Sequence, residues 1–171
     1  MTAYVAMLRA VNVAGTGKLA MSDLRAIGEQ CGFGAVRTYI ASGNLLFTSS
    51  EEETEAKDRL QAHVDGRFGR SMPIFVRSAA ELAEAAAGNP FDDDKPSRVM
   101  AHFIDQPPTQ RMIDEARDIA GERIALGPRL LYVSYGEGIG KTRLNLPAVK
   151  LGTARNLNSV TRMAALLGSP E

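Results

Sequence analysis

Three segments of this 171-residue chain carry residue types suited to holding an anion. The first is GEGIGKTRL, residues 136–144. A P-loop combines amides made approachable by glycine, a lysine for the phosphates and a hydroxyl for magnesium, and Gly140, Lys141 and Thr142 supply all three. The spacing departs from that pattern, because the position where a P-loop has its leading glycine is Tyr135. The segment therefore reads as a glycine-rich turn with Lys141 and Arg143 solvated, and its remaining chemistry is a looser anion site.

The second segment is the loop that follows an apolar run and holds Arg9, Asn12 and Lys18 around Gly15 and Gly17. Glycine lets a backbone approach a ligand closely, and Lys18 adds a point charge. The third is RTYIASGN, residues 37–44, where Ser42 and Asn44 flank Gly43. Such residues cap turns, and a serine nucleophile would also need a base beside it. The two histidines, His63 in a helical pattern and His102 in a strand pattern, stand in no catalytic context, so the sequence leaves enzymatic activity open. Asp92, Asp93 and Asp94 are consecutive and read as solvated loop aspartates without metal-ligand spacing. Cys31 repeats with Leu24 and Ile27 on one apolar face, as a buried structural thiol does. No metal and no cofactor are expected.

The elements that would position these groups follow from periodicity. The run AYVAMLRAV, residues 3–11, reads as a strand covered on both faces. A helix follows with Ser22 as its cap and Gly32 as its stop, then strands at 35–41 and 44–48 joined at Ser42 and Gly43, a helix over 51–68, and a strand at 73–77. Strand, helix, strand, strand, helix, strand is the split βαβ signature. The second half repeats this order: a helix at 79–87, a strand at 98–104, a helix at 108–120, and strands at 122–126 and 130–135. Helical segments at 144–151 and 157–167 flank a short final strand at 153–155. Strand alternation puts Arg9, Arg37, Tyr39, Phe75 and Arg77 on one sheet face, which would be a cationic and aromatic surface if left open.

Twenty basic residues balance twenty acidic ones, against a dedicated duplex binder, and a single cysteine fits a reducing cytoplasm. The N-terminal run lacks a basic leader and is interrupted by Arg9, so neither a signal peptide nor a membrane span is expected.

The stretch LRAVNVAGTGKLAMSDLRAIGEQCGFGAVRTYIASGNLLF and the later GIGKTRL with TARNLNSVTRMAAL resemble the two signatures of the bacterial domain of unknown function 1697 family. Ala10 replaces that pattern's usual glycine and Leu157 its usual tryptophan. The resemblance implies that Arg9, Asn12, Gly15, Thr38, Tyr39, Ser42, Gly43, Asn44, Thr153, Arg155, Asn156 and Asn158 are the positions shared with relatives.

The expected fold is α+β, two tandem ferredoxin-like (βαββαβ) halves, 1–78 and 79–171, with a linker near 88–97. The expected function is binding of a small anionic or nucleotide-like ligand between the halves by Arg9, Asn12, Lys18, Ser42, Asn44, Arg155, Asn156 and Asn158. The alternative is an RNA- or protein-interaction module using an open sheet face. Nucleic acid ranks below a small ligand as partner, no membrane is involved, and oligomeric state is left open.

Overall fold

A computed structural model of the chain describes residues 1–9 and 19–168; the expected ligand-loop residues Asn12 and Lys18, and the departure at Ala10, lie outside them. The chain forms two compact units, Met1–Ala80 with Met163–Glu171, and Glu81–Arg162.

In the first unit the elements are β1 (Thr2–Leu8), α1 (Met21–Gln30), β2 (Gly34–Thr38), β3 (Asn44–Ser49), α2 (Glu53–Phe68) and β4 (Ile74–Ser78). The sheet is antiparallel, in the order β2-β3-β1-β4. Its continuous apolar run puts β1 inside the sheet, as expected of a strand with two covered faces. Tyr4, Ala6 and Leu8 join Leu45, Phe47, Ile74 and Val76 in packing against Leu24 and Ile27 of α1 and Leu60 and Val64 of α2. Phe33 stacks on Phe47 with ring centroids 4.2 Å apart. The helix α2 ends at Gly69, whose φ of +67° suits the residue without a Cβ.

The opposite face corrects the alternative reading. Register places Arg77 beside Val5, Phe75 beside Met7, and Arg37 beside Leu46, so these residues do share a face. That face is not open, since Arg77 is 1% and Phe75 6% exposed. Arg37 Nη2 donates to the carbonyl of Leu166 in α5 (Leu157–Gly168), within the segment that belongs to this unit. Aromatic and cationic strand residues can serve as core when their polar ends find backbone acceptors.

The expected serine cap of α1 is also corrected. Ala20 occupies the N-cap with no side-chain bond, and its carbonyl already accepts from the amides of Asp23 and Leu24. Ser22 therefore lies inside the first turn.

In the second unit the strands are β5 (Val99–Ile104), β6 (Arg123–Gly127), β7 (Leu130–Ser134) and β8 (Gly152–Asn156), ordered β6-β7-β5-β8, with α3 (Ala79–Ala87, from Glu81 onward) and α4 (Gln110–Asp114). The short final strand expected at 153–155 is present as β8. Tyr132 Oη donates to Ala85 O at 2.6 Å and ties β7 to α3. The expected 108–120 helix is only α4, because Arg117 leaves the helical path to pair both ways with the backbone of Asn145. The expected 144–151 helix is reduced to a 3₁₀ turn at Pro147–Leu151, and a further 3₁₀ turn forms upstream at Ile139–Lys141.

The loop aspartates are not simply solvated. Arg123 pairs with both Asp93 and Asp94 at 2.9 Å, Ser134 donates to Asp94, and the Arg123 guanidinium lies 4.7 Å from the Phe91 ring. The segment expected as a linker near 88–97 is thereby pinned to β6 and β7. Among the described residues no helix is long and apolar enough to cross a membrane.

Candidate functional site

A cleft of about 650 Å³ opens at the end of the β6–β7 hairpin. One wall is the segment 118–122 leading into β6; the other is the segment 135–143 leaving β7. The two walls arise from the same local causes. The Arg117–Asn145 bridge holds the outer ends together, while Gly121, Gly136 and Gly138 take φ of +93°, +56° and +120° to turn the chain. Arg98 fixes the start of the glycine turn, since its carbonyl accepts from Tyr135 N and its Nη1 donates to Gly136 O, both at 2.9 Å. Within the turn Gly138 N donates to Tyr135 O, and Thr142 N to Ile139 O.

Across the cleft, Glu122 joins the walls. Its carboxylate accepts from the Thr142 hydroxyl and from Ala120 N, each at 2.6 Å, and these bonds hold it below the usual carboxylate range. Thr142 Oγ1 also accepts from Leu144 N at 3.1 Å. The hydroxyl that a P-loop would give to magnesium thus donates to Glu122 and accepts from Leu144 N. Lys141 and Arg143 are exposed at the rim.

Tyr135, 9% exposed, lines the cleft from inside. Its Oη lies 3.2 Å from Nε2 of His102, a residue 6% exposed on β5. Burial pushes the His102 imidazole down to about 4 and, together with the nearby Glu122 carboxylate, raises the Tyr135 phenol. Both groups are neutral at pH 7. Among the described residues no three His, Cys, Asp or Glu side chains gather as a metal site requires. The cleft's size falls in the range of roughly 300–1,000 Å³ usual for small-molecule sites.

The residues expected to bind a ligand divide between the two units. Leu8 N donates to Gly43 O at 2.8 Å and Arg9 N to Pro73 O at 3.0 Å, so half-buried Arg9 and the 42–44 turn share one end of the first sheet. Asn44 is wholly buried there, its Nδ2 donating to Tyr39 O and Ser42 Oγ, both at 3.0 Å. Asn44→Ala should remove about 1–3 kcal/mol of unfolding free energy in denaturant titrations, because two acceptors lose a buried donor; a change within 0.5 kcal/mol would show that the turn holds without it. In the second unit Arg155 is 5% exposed, and burial pulls its guanidinium down to about 10, still charged at neutral pH. Its Nη1 donates to Thr153 Oγ1 at 2.7 Å. Asn156 Oδ1 accepts from Ser159 N at 2.8 Å, capping α5, while Asn158 is exposed. Leu157 is 2% exposed and packs as core.

His102, Tyr135 and Glu122 were not singled out from sequence as members of a site. A signal existed: alternation puts Leu131, Val133 and Tyr135 on one face, and His102 reads as a polar residue inside an apolar strand.

A family model described as "Protein of unknown function (DUF1697)" matches residues 1–132. The chain belongs to the DUF1697 family. This DUF1697 protein is also similar in structure to a conserved bacterial protein from Streptococcus pneumoniae, with a TM-score of 0.79 and 20% identity over 97% of this chain and 98% of that one. That likeness concerns the fold. A comparison with curated proteins found no match. The family match ends before Tyr135 and the glycine turn, so one wall of the cleft lies beyond it.

Proposed function

We propose that this protein binds a small anionic, nucleotide-like ligand in the cleft of its second unit. The observation that carries the reading is a ligand-sized cleft with Lys141 and Arg143 on its rim and Asp118, Glu122 and Glu137 also among its walls. A nucleoside phosphate suits such a mixed lining, since its phosphate calls for cations and its sugar and base offer N–H and O–H donors. The amides of Ile139 and Gly140 donate to no backbone carbonyl among the described residues, which leaves them available to a phosphate oxygen. The reading assigns binding and no reaction.

A thermal-shift panel of phosphate, pyrophosphate and nucleoside mono- and triphosphates tests it. A ligand at a hundred times its Kd should add roughly 2.7 kcal/mol, a midpoint rise of about 5–10 °C, and Lys141→Ala with Arg143→Ala should abolish the rise. Silence across the panel would sink the reading. A rise lost in Arg9→Ala but kept in the Lys141/Arg143 variant would move the same ligand class to the end of the first sheet, a second reading supported by Arg9 and the 42–44 turn lying at one end of that sheet.

Two finer features belong to the same proposal. Matching strand orders support reading the units as tandem ferredoxin-like duplicates, as do matching arginines: Arg77 lies opposite Val5 on β1, and Arg155 opposite Ala101 on β5. A buried free thiol at Cys31, raised to about 11 chiefly by burial, fits life in a reducing cytoplasm.

A further inference from the structure

We propose that the outer edge of β6 is an interface between two copies of this chain, paired antiparallel about a two-fold axis at Ala125 so that two four-stranded sheets become one.

Each sheet has two edge strands, β2 and β4 in the first unit and β6 and β8 in the second. An edge presents unpaired N–H and C=O groups, and proteins blunt it with a bulge, lysine, proline or a cover. The ladder of β2 is broken by a register shift between Gly34 and Arg37, where Ala35 takes a φ of +47°. Four of the five residues of β4 are buried, and three of the five in β8. The edge of β6 has none of these protections. Its ladder with β7 runs unbroken over five pairs, and its sequence RIALG contains no proline and no lysine. Among the described strands it alone has no buried residue. Yet its centre is apolar: Ile124 rests partly exposed against the cluster of Leu131 and Val133, and Leu126 is 41% exposed.

A second copy suits this edge because the strand is complementary to itself. Two identical edges paired antiparallel are related by a two-fold axis normal to the sheet. Centring that axis on Ala125 sets Ile124 opposite Leu126 of the partner subunit, and Leu126 opposite Ile124 of the partner subunit. Facing residues then differ by an even number, so the outward N–H and C=O groups of one copy meet those of the other. The four apolar side chains share one face and cover one another. Centring on Ile124 would instead set Leu126 against the charged Glu122 of the partner subunit. Centring on Leu126 would set Ile124 against Pro128 of the partner subunit, which has no N–H to give.

Charge permits the same register. The only charged residue of β6, Arg123, lies opposite Gly127 of the partner subunit, so no like charges meet across the seam. Its guanidinium is already balanced by Asp93 and Asp94 of its own chain. Twenty basic and twenty acidic residues give each copy a net charge of zero, so the copies carry no net repulsion.

The test uses the full chain and two readouts. In sedimentation velocity from roughly 5 to 500 µM, a range suited to a small interface, the mass should rise from 18.4 kDa toward twice that value. Leu126→Lys, a change at an exposed side chain, should weaken the dimer at least about 10-fold, with circular dichroism reporting that the fold is kept. Under mild oxidation Ala125→Cys should form a covalent dimer, because residue 125 faces its own copy across the axis. Arg123→Cys should not, since the two copies of residue 123 stand about 13 Å apart along the seam. A wild type that stays monomeric throughout overturns the assignment, even if β6 then takes up a strand of another protein. A dimer that survives Leu126→Lys overturns it too, as does Ala125→Cys crosslinking no faster than Arg123→Cys.

Discussion

Gly152→Ala should destabilise the protein by about 3 kcal/mol or more, lowering its thermal midpoint by roughly 6–12 °C. Gly152 opens β8 opposite Ile104, and a Cβ there would stand 1.8 Å from the carbonyl oxygen of Phe103 and 2.8 Å from its carbon. Its φ of −150° is ordinary extended backbone, so alanine meets no conformational penalty and the whole effect is steric. A flexible side chain could rotate away, as Ile104 Cγ2 at 2.9 Å can, but a carbonyl in β5 cannot. The strand β5 lies between β7 and β8, so relief requires either lifting β8 off the sheet or bending an inner strand. Gly66→Ala makes a matched control, because that glycine sits in α2 with nothing within 4 Å of an added Cβ. Calorimetric melts should show Gly66→Ala neutral or up to about 1 kcal/mol more stable. A Gly152→Ala midpoint equal to wild type would mean that β8 does not lie this close to β5.

Acidification should produce the second large effect, a loss of about 3 kcal/mol between pH 6.5 and pH 4 that depends on His102. The imidazole has an ordinary value of 6.5 and is pushed down to about 4 by burial in the folded chain. As pH falls below 6.5 the unfolded chain takes up this proton first, while the native site refuses it until about 4. The stability contribution is therefore complete above 6.5 and is lost progressively toward 4, with no further loss from this group below that. His102→Gln, neutral throughout, should flatten the urea-derived stability curve across this window. The carboxyls of Asp93, Asp94 and Glu122 are held below their ordinary values by Arg123, Ser134 and Thr142, so their contributions fail at lower pH and remain separable. An unaltered slope in His102→Gln would show that the buried ring is not the acid-sensitive element.

Local pattern carried much of the fold. The apolar run of β1, the 79–87 helix and the short strand before α5 are each legible because their periodicity and their packing agree. Reading failed where a distant partner overrode local preference. The helix beginning at Gln110 stops after Asp114 because Arg117 bridges to Asn145, and nothing near Arg117 announces that. Alternation correctly grouped Arg37, Phe75 and Arg77 on one face, yet alternation alone says nothing about what covers it. The glycine turn was visible as an anion-suited segment, since glycine and lysine carry a local signal. Its distant neighbours were not: Glu122 bonds Thr142 from twenty residues away, and His102 meets Tyr135 from thirty-three. Among the described residues chosen from polar motifs, Ser42 and Asn44 meet in a turn, Asn156 caps α5 and Arg155 is buried, since short polar side chains satisfy backbone as readily as ligands.

The first unit is discontinuous in sequence, and this has a consequence for how the protein is made. Residues Met1–Ala80 emerge from the ribosome early, but the segment that completes their packing begins at Met163. Until then Arg37 has no Leu166 carbonyl to bond, and the face bearing Phe75 and Arg77 lacks part of its finished cover. Arg37 therefore gains its acceptor only after a further 129 residues have been made, and α5 closes the first unit late relative to its sheet.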